Sequence, residues 1–129
     1  MRALYRKARG AAAVEFGLVL PVLIAILLGV IDYGHYFFTE EIMLNAAREG
    51  ARAGTVTSGD PAAVAQSVAT AYMDNMGLTA AGRSISAVSL AGPPASIQVT
   101  INYPPGSLTG FTQPPLFPST RQAIAEMRR

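Results

Sequence analysis

The residues best equipped for chemistry are few. His35 is the only histidine and follows Asp32 at helical spacing, a pairing that can bind a metal ion or titrate near neutral pH. A metal site needs three or four ligands, and no other ligating residue is placed to complete one here. Cysteine is absent, which excludes thiolate metal sites, thiol nucleophiles and disulfides. A Ser-His-Asp arrangement would have to recruit His35 beside a long apolar run. Glu40 and Glu41 are neighbours in sequence, so on a helix they point about 100° apart and form no acid-base pair. Gly10 and Gly17 lack the spacing and the preceding strand of a phosphate-binding loop. No catalytic residue, metal or cofactor is therefore expected, and His35 is read as solvated.

The remaining anomaly is Glu15. It stands inside an apolar segment: no residue from Phe16 to Ile31 is charged, and Ala11 to Val14 precede it. The segment reaches the roughly 20 residues that cross a bilayer as a helix. A carboxylate near the end of such a segment costs a few kcal/mol when unpaired, so it calls for a partner or a function. Arg2, Arg6, Lys7 and Arg9 crowd one flank, whereas Asp32, Glu40 and Glu41 lie beyond the other. The positive-inside rule leaves the N-terminus cytoplasmic and everything from about Asp32 on the far side of the membrane.

The basic cluster also decides what the net charge of +2 means. Without residues 1 to 10, 6 basic and 8 acidic side chains remain, scattered along the chain. No basic face tracks phosphates, and nucleic acid is not an expected partner. At 129 residues, 50% hydrophobic and 14% charged, the chain has room for one membrane segment and one small domain. A secretory signal peptide would share the basic and apolar regions, but the bulky run Asp32 to Phe38 stands where a small-x-small cleavage site belongs. An uncleaved anchor remains an alternative.

The run from Arg9 and Gly10 through Glu15 and Phe16, followed by Val19-Leu20-Pro21 and by Asn45 to Arg52, resembles the TadE family of pseudopilins of the bacterial tight-adherence (Tad/Flp) pilus system. The close match covers about Arg6 to Ala53; the second half fits in pattern only. The resemblance implies a minor pilin of a type IV pilus, acting in assembly and surface adherence, cut by a prepilin peptidase between Gly10 and Ala11. It also implies that Glu15 and Phe16 form the processing and assembly motif, and that the partners are the peptidase, the inner membrane, and other pilins and pseudopilins. Glu15 then has three readings: a tolerated carboxylate, a peptidase signal, or a partner for the α-amino group that cleavage creates at Ala11.

The expected fold is α+β and pilin-like. A leader (1–10) precedes a long membrane-spanning and amphipathic helix (11–53) and a small α+β head (54–129). Pro21 is expected to interrupt the helix. Tyr33, Tyr36, Phe37, Met43, Leu44, Ala47 and Ala51 share one face at helical spacing, for the head to pack on, and Glu41, Asn45, Arg48 and Arg52 share another. The aromatic residues equally suit a membrane-surface belt. Phe38 and Ile42 project away from that stripe, either as lone exposed apolars or as helix-packing residues that meet a neighbour. Gly50 and Gly54 are expected to end the helix. A second helix has Asp60 as cap, Pro61 at its first position and Gly77 as its stop, with Val64, Val68, Ala71, Tyr72 and Met76 on its core face.

About three antiparallel strands should follow. Ala95 to Tyr103 alternates most clearly, and Ser84 to Leu90 pairs with it through a hairpin at Ala91 to Pro94. A proline-rich loop runs to Pro118. Arg121 to Arg128 is ambiguous: Ser119 with Gln122 resembles a capping box, while Ala123, Ala125 and Met127 alternate, and the resemblance favours a strand. Two rival functions fit the same pattern: an unprocessed single-pass assembly factor, or a membrane-anchored ligand-binding head using the Ser107 to Pro118 loop with Phe111 and Phe117.

A cut after Gly10 requires an active site to admit backbone without a side chain. Gly10→Val is expected to leave full-length, membrane-held precursor in a host carrying the peptidase. Trimming at the wild-type rate, read by intact mass, would place the cut elsewhere.

Overall fold

A computed structural model of the protein describes residues 2–104, 106–110 and 120–129, with only the backbone described for 2–9 and 11. The fold is α+β: helix α1 (Arg2–Val56), helix α2 (Pro61–Asn75), and strands β1 (Ser84–Leu90), β2 (Ser96–Tyr103) and β3 (Arg121–Arg128). The strands form one antiparallel sheet in the order β1-β2-β3.

α1 is 55 residues long, about 80 Å at a rise of roughly 1.5 Å per residue. It runs without a break past Gly10 and through Pro21, whose missing N–H a membrane helix tolerates. The stretch Ala12–Val56 holds the candidate membrane span, and the side chains from Val14 to Leu20 are all exposed. Beyond Ile31 the helix changes character. Ile42, Met43, Ala46, Ala47, Gly50, Ala51 and Gly54 are buried under the head.

This burial pattern corrects several expectations. Gly50 and Gly54 do not end α1, which continues to Val56. They are points where α2 presses against it: a Cβ on Gly50 would lie 2.6 Å from the Ala65 carbonyl oxygen and 2.9 Å from Ala69 Cβ, and one on Gly54 would lie 2.8 Å from the Pro61 oxygen. At that separation only small side chains fit, so α2 buries Ala65, Ala69 and Met73. Val64, Val68 and Tyr72 are left at the margins, and Ala71 and Met76 are exposed. Ile42 is 6% exposed and belongs to the core, while Phe38 is 60% exposed. The close approach of α2 rotates the buried stripe of α1 toward positions 42, 46 and 50, drawing Ile42 away from the outward face it was expected to share with Phe38. Tyr33 and Phe37, read either as packing under the head or as a belt at the membrane surface, are exposed and do not pack under the head.

The signals around α2 and the strands behave as their chemistry dictates. Asp60 accepts from the backbone amides of Ala62 and Ala63, Pro61 opens the helix, and Gly77 takes φ +76° just past its end. In β2, the central strand, Ile97, Val99 and Ile101 are fully buried against the helices. β3 resolves the ambiguous segment as a strand, pairing Tyr103 with Arg121 and Ser96 with Arg128 at its two ends. Alanine and glutamate favour a helix locally, but pairing with β2 satisfies the backbone and buries Ala123, and tertiary context prevails.

The α1–α2 contact decides the sign of two glycine substitutions. Alanine gains roughly 1 kcal/mol of helix propensity over glycine, whereas overpacking costs about 1–3 kcal/mol. Gly50→Ala is therefore expected to lower the thermal midpoint of the detergent-solubilised protein. Gly34→Ala, with nothing within 4 Å of the added Cβ, should leave it unchanged or raise it; a stabilised Gly50→Ala would refute the close packing.

Candidate functional site

Two places on α1 carry polar groups that its apolar surroundings make conspicuous. The first is the N-terminal motif. Gly10 and Ala11 both lie within continuous helix. Cutting the bond between them requires local unwinding, because an extended backbone is what a peptidase cleft can thread. Gly10 lowers that cost by roughly 1 kcal/mol relative to alanine, and a Cβ there would meet nothing within 4 Å. Glu15 lies four residues beyond Ala11, which puts the two on one helical face about 6 Å apart. Glu15 and Phe16 are both exposed, so neither is engaged by the head.

The second place is where the head meets the outer end of the apolar segment. Asp32 is 1% exposed, although it directly follows the uncharged run. Its Oδ1 accepts from the Thr109 amide at 2.8 Å, and its Oδ2 accepts from Ser107 Oγ at 2.6 Å and Thr109 Oγ1 at 2.7 Å. One turn along α1, the Tyr36 ring lies 4.6 Å from the Arg121 guanidinium. Arg121 Nη2 donates to the Gly106 carbonyl at 2.8 Å. The 106–110 loop thus bridges the Asp32 carboxylate and the Arg121 cation, each tied to the same helix.

Arg121 is itself buried, and its Nε and Nη1 have no hydrogen-bond partner among the described residues. Burial holds its pKa below the ordinary guanidinium value, against the opposing pull of Tyr36, Tyr103 and Glu40. The arrangement fastens the 106–110 loop to α1. No group of three or more His, Cys, Asp or Glu among the described residues could hold a metal ion. Asp32 is committed to Ser107 and Thr109, and the backbone oxygen of His35 accepts from Thr39 Oγ1 at 2.9 Å. On the charged face, Arg52 pairs with Glu49 at 2.8 Å. That pair lowers the Glu49 pKa and raises that of Arg52, chiefly through their hydrogen bond.

In the sequence Asp32 reads as a flanking charge and as a helical-spacing neighbour of His35, and Ser107 as the start of a candidate ligand-binding loop; nothing joins Asp32 to Ser107, Thr109 or Arg121. The partners are separated by 75 and 77 residues, and nothing local marks the loop. Phe111 and Phe117, the rival ligand-binding candidates, and Ser119 of the capping box lie outside the described residues.

The geometry leaves one helix with an exposed N-terminal motif at Gly10, Glu15 and Phe16 and a C-terminal half fastened to a small head. Residues 10–52 match the TadE-like protein family. The match begins at Gly10 and ends within the last turn or so of α1, so the TadE-like part of the chain is this helix, in agreement with the resemblance drawn from the sequence. No curated protein and no solved structure matches the chain.

The Asp32 contacts generate a direct expectation. Asp32→Ala removes the acceptor of the Thr109 amide and of the Ser107 and Thr109 hydroxyls, at a cost of about 1–3 kcal/mol when such groups stay buried. The Thr109 amide should lose hydrogen-exchange protection while those of β2 keep theirs. Unchanged protection at Thr109 would show that Asp32 does not hold the loop.

Proposed function

We propose that this protein is a minor pilin of a Tad/Flp-type pilus apparatus, cut between Gly10 and Ala11 by a prepilin peptidase and assembled with related pilins. The observation that carries the reading is the TadE-like match over residues 10–52, which falls on the apolar helix bearing Gly10, Glu15 and Phe16. That family is a structural component of the pilus, and a long apolar N-terminal helix fits a single-pass membrane protein. In this reading the basic residues before Gly10 keep the N-terminus cytoplasmic and the head lies outside the inner membrane.

The mechanism is physical. The bilayer stores the subunit by the exposed apolar half of α1, and assembly transfers that surface to a bundle of neighbouring helices, so its burial from water is retained. Phe38, exposed on α1, is available to meet such a neighbour, whereas Ile42 is already committed to the core. Glu15 gives the order of events. Cleavage creates an α-amino group at Ala11, the one nearby cation able to neutralise the carboxylate in low dielectric, and a pair formed between subunits favours assembly and register. The head is left free for priming, length control or adherence.

Glu15→Val is expected to leave membrane insertion and cleavage intact while abolishing co-isolation with other pilus subunits. Glu15→Gln should fail in the same way, because an amide forms no ion pair. Cleaved Glu15→Val that co-isolates normally would remove the pairing role.

A further inference from the structure

The clamp at Asp32 fixes the depth of a loop as well as its position. Ala12 to Ile31 spans about 30 Å as a helix, the thickness of the hydrocarbon layer, so Asp32 marks the boundary of that layer. Ser107 and Thr109 both donate to Asp32. Leu108, the residue between them, is held within a few residue lengths of the same plane, at 3.8 Å per residue. Its side chain is not turned into the head: it is 66% exposed. Tyr33, next to Asp32, is 54% exposed and packs edge-to-face on the exposed Phe37 at 4.8 Å between ring centroids.

We infer that the membrane-proximal tip of the head is a lipid-contacting surface, with Leu108 seated in the outer leaflet at the level of the Tyr33 and Phe37 rings. The loop is fastened to α1 where the exposed apolar segment ends, and this attachment points to the bilayer as the occupant. Apolar and aromatic side chains at this depth suit the headgroup boundary. The head thereby has a second attachment to the membrane, through a loop 75 residues and more from the helix position that holds it. The subunit has to break this attachment when it leaves the bilayer. The inference rests on the membrane-spanning reading of α1.

The cysteine-free chain permits a direct test with the full-length protein in phosphatidylglycerol-containing liposomes. Single variants Leu108→Cys, Ile24→Cys and Val88→Cys carry the same environment-sensitive fluorophore, Val88 being exposed on the sheet far along the chain from the clamp. The expected result at 108 is a blue shift and strong quenching by lipids spin-labelled near the headgroup, with little quenching at 88. Emission at 108 as accessible to aqueous iodide as emission at 88 overturns the inference. Shielding from iodide without lipid quenching also overturns it, by pointing to a second copy as the cover. Deep quenching at 24 with none at 108 refutes the lipid seat alone, whereas absence of lipid quenching at both refutes the membrane span as well.

Discussion

The structure depends on one helix being used twice. From Phe16 to Ile31 α1 carries no charge and is mostly exposed, as a helix in lipid must be, and its C-terminal half is the spine of the head's core. What makes the second use possible is the close approach of α2 at Gly50 and Gly54, where backbone meets backbone and alanines fill the seam. A small domain buries too little surface to be stable on a short core. Here the helix that anchors the protein also contributes Ile42, Met43, Ala46, Ala47 and Ala51 to the core, and the sheet closes over them with Ile97, Val99 and Ile101.

The polar contacts at the membrane end act on orientation more than on folding. A buried carboxylate and a buried guanidinium are weak stabilisers, since desolvation offsets most of what their partners return. Their effect is to tie the 106–110 loop to α1 at a defined height, with Asp32 and Tyr36 as the two fixed points. α1 is unbroken from Asp32 to Val56 and the head packs along that length, a continuity that suits the proposed role of a subunit drawn from a bilayer into an assembly.

The periodic signals were the legible ones. An uncharged apolar run, a capped second helix and an alternating β2 each depend on residues a few positions apart, and each formed where its chemistry indicates. The registers between elements were not legible. Whether Gly50 ends a helix or admits a neighbour depends on α2 being there, and the face α2 buries depends in turn on that glycine. The same coupling moved Ile42 inward and left Tyr33 and Phe37 outside. Of the candidate site, the exposed motif at Gly10, Glu15 and Phe16 was readable as a linear pattern that a TadE-like match also covers. The clamp joining Asp32 to Ser107 and Thr109 was not, because its parts are brought together only by the complete fold.

In the proposed function this helix becomes an assembly surface through processing at its N-terminal end. The intact mass of the protein purified from the membranes of its native host tests this directly. A chain beginning at Ala11, lacking residues 1 to 10, is expected. A chain that retains those residues in cells with an active prepilin peptidase would contradict it and leave an unprocessed membrane-anchored protein.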